Sequence, residues 1–120
     1  KMDDSTQVKA IFNDLYVLIN ANKGLLALYE KYSDSSLFMA LIGYLDLAVV
    51  SDPNAVMKET YAFYKRYADR ELSEEDWDSV VEDFRKENEI WDNEWCKQQM
   101  LELLGILEAQ EKERKTKKAA

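Results

Sequence analysis

A run of fourteen residues at positions 37–50, LFMALIGYLDLAVV, constrains the fold more than any other feature, because only Gly43 and Asp46 in it are neither apolar nor aromatic. A helix without a polar face must be enclosed by other helices, by a second copy of the chain or by lipid. As a helix the run would span only about 21 Å, which is short of the roughly 30 Å of a bilayer core. We therefore interpret it as the central helix of a bundle that does not enter a membrane.

The rest of the chain favours helices as well. Three Gly and one Pro in 120 residues leave few breaks, and apolar residues recur at helical spacing outside the central run. The sequence predicts an all-α, single-domain bundle of four to six helices over residues 1–120, packed over about residues 5–107. Residues 108–120 are charged and have no apolar stripe, so we expect them to form a frayed tail in solvent.

Two local questions stay open at this point. The helical spacing that begins near Ser5 continues across residues 22–24, which favours one long first helix, although Asn22 followed by Gly24 is also typical of a helix end. Asp46 in the central run either marks its one solvated strip or is buried beside a cation or hydroxyl, because an unpaired buried carboxylate is costly.

Helix starts are marked by capping residues. Asp52 followed by Pro53 is a strong start signal, because the carboxylate caps the free backbone donors and proline lacks the donor that would be unpaired there. Ser73 with Asp76 three residues later forms a modified capping box. We predict that Asp92 caps the last helix.

The composition excludes several chemistries. The chain has no histidine, which removes the usual general base and any zinc site that needs imidazole, and Cys96 is its single cysteine. A single cysteine and the absence of a signal-peptide pattern predict a cytoplasmic protein. We find no catalytic or cofactor motif, so the sequence predicts a non-catalytic protein with no cofactor and no metal.

Negative charge is concentrated in residues 69–94, which hold twelve acids against three bases, whereas the whole chain has a net charge of −8. The three tryptophans lie in or next to this segment. It is interpreted either as a solvated outer face or as an acidic, aromatic-edged surface for a basic protein partner. For the second interpretation the sequence nominates six partner-binding residues: Glu74, Glu75, Asp78, Glu82, Trp91 and Trp95.

We expect the protein to act by protein–protein binding and to self-associate as a homodimer, because a short chain supplies few neighbours for its central helix. We expect no direct nucleic-acid binding, since the net charge is negative. An extreme form of the same function is an acidic nucleic-acid mimic that inhibits a DNA-handling protein.

An enzymatic alternative rests on four carboxylates. Glu71, Glu74, Glu89 and Asp92 spell ExxE, fourteen residues, ExxD. This arrangement resembles the metal-binding pattern of the all-helical MazG-type pyrophosphatases. The resemblance implies a magnesium-dependent hydrolase of nucleotides, and carboxylates are suitable ligands for magnesium. Glu71 and Glu74 lie on either side of the predicted cap at Ser73, which departs from two ligands on one helical face.

Overall fold

The computed structural model describes residues 4–21, 25–43 and 52–119, and within these ranges it contains six α-helices and no strand. The predicted all-α bundle of four to six helices is therefore confirmed. In chain order the helices are α1 (Ser5–Ala21), α2 (Leu25–Lys31), α3 (Ser36–Gly43), α4 (Pro53–Tyr67), α5 (Glu74–Trp91) and α6 (Glu94–Ala119).

The predicted starts of α4 and α5 are confirmed. The Asp52 carboxylate accepts a hydrogen bond from the Ala55 backbone at 3.2 Å, with Pro53 in the first turn. The Ser73 hydroxyl accepts from the Asp76 backbone at 3.1 Å, and the Asp76 carboxylate accepts from the Ser73 backbone at 2.9 Å. Each cap satisfies backbone donors that have no partner inside their own helix.

The junction between α5 and α6 differs from the prediction. Asp92 ends α5 in a left-handed conformation, with φ of 43°, and does not cap α6. The capping residue is Asn93, whose side-chain oxygen accepts from the Cys96 backbone at 2.8 Å. Asn and Asp both tolerate the left-handed region, and both cap helices. The local sequence therefore does not determine which of these two adjacent residues ends α5 and which caps α6.

Helices α4 and α6 form the centre of the described bundle. Helix α4 packs against α1, α5 and α6, and α6 packs against α3, α4 and α5. The buried residues of α6 up to position 107 cover an arc of about 140° at ideal helical spacing, so this helix meets neighbours on more than one side. They are Trp95, Cys96, Gln99, Met100, Leu103, Ile106 and Leu107.

The described half of the predicted central helix is α3. Its residues Leu37, Phe38 and Leu41 are fully buried, whereas Met39 is 44% exposed and Gly43 is also exposed. This part of the helix is therefore enclosed on one side. Across the described ranges, no helix combines the length and the apolar composition needed to cross a membrane.

Three predictions fall outside the described residues. They are the continuation of the apolar helix over residues 44–50, the environment of Asp46, and the continuity of the first helix across residues 22–24.

The prediction of a frayed tail over residues 108–120 is wrong for the described part of that segment, since α6 continues to Ala119. The Gln110 side-chain amide donates to the Tyr64 hydroxyl at 2.8 Å, and Glu111 is only 7% exposed. Arg114 pairs with Glu111 at 3.1 Å, one helical turn away. Contacts to another helix and ion pairs along the same helix thus replace the missing apolar stripe.

Two tyrosine–aspartate contacts join the outer helices to the rest of the bundle. The Tyr32 hydroxyl donates to the Asp14 carboxylate at 2.5 Å, and the Lys31 ammonium donates to the same carboxylate at 2.9 Å, which attaches the end of α2 and the turn after it to α1. Burial acts to raise the pKa of Asp14, but the hydrogen bonds from Tyr32 and Lys31 outweigh it and lower that pKa. In the same way, Tyr67 donates to Asp83 and attaches α4 to α5.

Candidate functional site

Helix α5 has an outer side that carries four of the six nominated residues. At 100° per residue, Glu74, Glu75, Asp78 and Glu82 fall within a sector of about 100°. The first three are exposed, and the Glu82 side chain is 46% exposed. We call these four residues the α5 acidic face.

The sequence places these acids near the start of α5 for a local reason. The capping box at Ser73 fixes the first turn, and the positive end of the helix dipole favours carboxylates there. Asp76 lies in the same turn but has a different role. The backbone hydrogen bond from Ser73, followed by the nearby Arg70 charge, lowers the pKa of Asp76 despite some desolvation, so this carboxylate belongs to the cap.

Most of the α5 acidic face is uncompensated. Glu82 forms an ion pair with Arg85, one turn further along the helix. Within the described part of the chain, Glu74, Glu75 and Asp78 form no ion pair. Three adjacent solvated carboxylates therefore give this side of the molecule a negative field that is open to a partner.

Trp95 does not belong to this surface, and its nomination is corrected. The side chain is fully buried, and its indole N–H donates to the Leu41 carbonyl at 2.9 Å. The physical reason is that Trp95 lies in the first turn of α6, on the arc that packs against α3. Its role is to join these two helices through a large apolar ring and one buried hydrogen bond.

Trp91 also lies away from the acids. It is partly buried and packs against the core on the inner side of α5, where Val80 is fully buried. The buried indole nitrogen of Trp91 and one carboxyl oxygen of Glu87 have no hydrogen-bond partner within the described residues. The six nominated residues thus separate into four acids on the outer side and two tryptophans inside.

Two residues next to the α5 acidic face were not nominated. Val81 is 62% exposed and lies about 20° from Glu74 around the helix, just outside the sector of the four acids. Trp77, one turn before Val81, is partly buried against the core but also lines a groove of about 520 Å³ between α5 and α6. Only one of the adjacent Val80 and Val81 can face the core, so their pairing is the sequence signal for an exposed apolar residue here. The α6 residues that line the groove are Glu108, Glu111, Lys112, Lys115 and Thr116.

The four carboxylates of the enzymatic alternative do not converge. Glu71 lies just before α5 and Glu74 at its start, whereas Glu89 and Asp92 lie at its end. Fifteen residues of helix separate Glu74 from Glu89 by about 22 Å. Among the described residues, no group of three or more Cys, Asp or Glu side chains is arranged to hold a metal ion.

Cys96 has the environment of a structural residue. It is fully buried, and burial, followed by the nearby Glu87 charge, raises the pKa of its thiol to about 12. A thiol with this pKa remains protonated near neutral pH and is a poor nucleophile.

Comparison of the chain with protein-family models, with curated proteins and with solved structures gave no match.

Proposed function

We propose that this protein acts without catalysis by binding a basic protein partner through the α5 acidic face. The observation that carries the proposal is the clustering of Glu74, Glu75, Asp78 and Glu82 on one exposed sector of a helix. Three of these four carboxylates have no cationic partner among the described residues. A surface of this kind accelerates association with a basic partner through long-range attraction.

Apolar residues beside the acids supply the second part of the proposal. Charged rims mainly set association rates, whereas buried aromatic and aliphatic anchors provide most of the affinity of an interface. Val81 is exposed at the edge of the acidic sector, and Trp77 borders the neighbouring groove. We assign the anchoring role to these two residues in place of Trp91 and Trp95.

We also propose that the protein acts in the cytoplasm. The support is Cys96, which is buried and unpaired and contributes only packing. A domain stabilised by helix packing without disulfides suits a reducing compartment.

A capture experiment tests the binding proposal. The tagged protein is compared with a variant that carries Glu74→Gln, Glu75→Gln, Asp78→Asn and Glu82→Gln, and recovered proteins are quantified by mass spectrometry at low and raised salt. We expect the variant to recover specific partners at least about tenfold less at low salt, and raised salt to reduce wild-type capture. A matched control neutralises four exposed acids elsewhere: Glu30, Asp34, Glu59 and Glu113.

The outcomes separate the forms of the proposal. Loss of capture in the α5 variant, with the control unchanged, supports it. Partners that bind equally to both variants, or that ignore salt, contradict it. A recovered DNA-binding protein that the chain displaces from DNA would identify the nucleic-acid mimic as the form of this function.

Self-association is a second proposal, and it rests on α2. This helix has no buried residue, and its Leu26 is 75% exposed, with Leu25 and Tyr29 also exposed. Met39 on α3 is 44% exposed as well. Exposed apolar side chains on adjacent elements are typical of surfaces that bind another protein molecule.

Sedimentation velocity over a range of concentrations tests this second proposal. We expect a dimer that Leu26→Ser weakens, whereas Ile90→Ser, which replaces a similarly exposed residue on α5, leaves it intact. A monomer at every concentration would refute the homodimer.

A further inference from the structure

Helices α1 and α4 run antiparallel and are joined near both ends by side-chain hydrogen bonds. At one end the Ser5 and Tyr64 hydroxyls lie 2.7 Å apart. At the other end the Asn20 and Asn54 side chains exchange amide hydrogen bonds of 3.0 and 3.1 Å. A groove of about 340 Å³, which we call the α1–α4 groove, lies between these two connections.

Aromatic and apolar side chains form most of the α1–α4 groove. Phe12 and Met57 are nearly fully buried and form its floor, while Tyr16, which is 53% exposed, and Tyr61 line it nearer to solvent. The rings of Phe12 and Tyr61 pack with their centroids 5.4 Å apart. Tyr16 and Tyr61 come from different helices, so aromatic side chains line the groove from both α1 and α4.

The polar residues of the groove carry no negative charge, although the whole chain has a net charge of −8. Asn13 and Lys58 line the groove and are exposed, and neither makes a hydrogen bond or ion pair with another described side chain. Lys65 adds a second positive charge, with its Nζ 6.0 Å from the centre of the Tyr61 ring. The groove thus offers one free carboxamide and a local excess of positive charge.

We propose that the α1–α4 groove is a binding site for a planar aromatic anion such as a nucleoside monophosphate. The ring stacks against Tyr16 and Tyr61, the Asn13 carboxamide bonds to polar atoms at the ring edge, and Lys58 pairs with the anionic group. A volume of about 340 Å³ is at the small end of ligand pockets, which suits one ring system with a short substituent. The acidic surface elsewhere disfavours a long polyanionic strand.

Isothermal titration with four probes tests this site. Adenosine monophosphate carries both ring and phosphate, adenosine lacks the phosphate, ribose 5-phosphate lacks the ring, and indole-3-acetate carries a ring with a carboxylate. We expect saturable binding of one or both ring-bearing anions and much weaker binding of the two truncated probes. The preferred anion distinguishes a phosphate ligand from a carboxylate ligand.

Two variants with exposed target residues locate the site without threatening the fold. Tyr16→Leu removes one stacking surface, and Lys58→Gln removes the ammonium, so each should weaken binding by about tenfold. The conservative variant Tyr16→Phe, which keeps the ring, and the control Lys86→Gln on α5 should leave affinity unchanged, and circular dichroism checks that all variants remain folded. The proposal is overturned if no ring-bearing anion binds at millimolar concentration, or if the groove variants bind as tightly as the controls.

Discussion

Gln99 is a carboxamide enclosed entirely by the bundle, and only one of its two polar atoms is satisfied within the described structure. Its Oε1 accepts from the Thr60 hydroxyl at 2.8 Å, while its Nε2 has no partner. The Thr60 hydroxyl is also 3.2 Å from the Met57 carbonyl, so it keeps an acceptor if Gln99 is replaced. Loss of this contact therefore leaves an unpaired polar atom at Gln99 but not at Thr60.

Because of this difference, substitutions at the two residues should change the free energy of unfolding differently. Gln99→Met removes the unpaired donor and should leave the free energy of unfolding unchanged or raise it by about 1 kcal/mol. Thr60→Val leaves both polar atoms of Gln99 unpaired and should lower it by about 1–3 kcal/mol. Urea denaturation of the two variants measures both effects, and a larger loss for Gln99→Met than for Thr60→Val would contradict this assignment.

Glu87 is a carboxylate whose environment opposes its charge. Burial, followed by the nearby Glu59 charge, raises its pKa above the ordinary value of 4.5. An acid with a raised pKa in the folded state holds its proton more tightly there, so the folded state loses stability as pH rises from 4.5 through the raised value. Glu87→Gln should therefore stabilise the protein near neutral pH.

The gain from Glu87→Gln should disappear below the ordinary value of 4.5, where both states are protonated. Thermal denaturation over a pH series measures this, and Asp78→Asn, which neutralises an exposed acid on the same helix, is the control. A gain that is independent of pH would show that the effect is not caused by ionisation.

At the scale of helices, the C-terminal part of α6 is held by contacts with the rest of the bundle. Gln110 donates to the Tyr64 hydroxyl, which also bonds to Ser5, so one cluster joins α6 to α4 and α1. We predict that Gln110→Ala lowers the free energy of unfolding by about 1 kcal/mol. Lys112→Ala, two residues away and exposed, should have little effect. Equal stability of the two variants in urea would instead favour a frayed tail.

The starts of α4 and α5 follow from the local sequence, whereas the position of Trp95 does not. Ser73 and Asp52 were identified correctly because a cap depends on residues only three positions apart. The inward placement of Trp95 depends on Leu41, which is 54 positions away along the chain, so no local pattern carries it. The four acids were assigned to an exposed face correctly, because charged side chains are rarely buried without partners.

At the scale of the whole molecule, the negative charge is concentrated on one part of the surface and is absent from another. Residues 69–94 carry the large excess of acid, and α5 lies within them, whereas the α1–α4 groove is lined by Lys58 and no acid. A molecule with this distribution presents different surfaces to a basic partner and to a small anion. The two proposed sites lie on different helices and should therefore vary independently under mutation.

The most direct test of the central claim is the protection of carboxylates in a recovered complex. Carbodiimide labelling of the free protein and of the protein bound to its captured partner is followed by mass spectrometry of each acidic residue. We predict that Glu74, Glu75 and Asp78 lose labelling in the complex while Glu30 and Asp34, on other elements, label equally in both states. Unchanged labelling of the α5 acidic face, with protection elsewhere, would contradict the account.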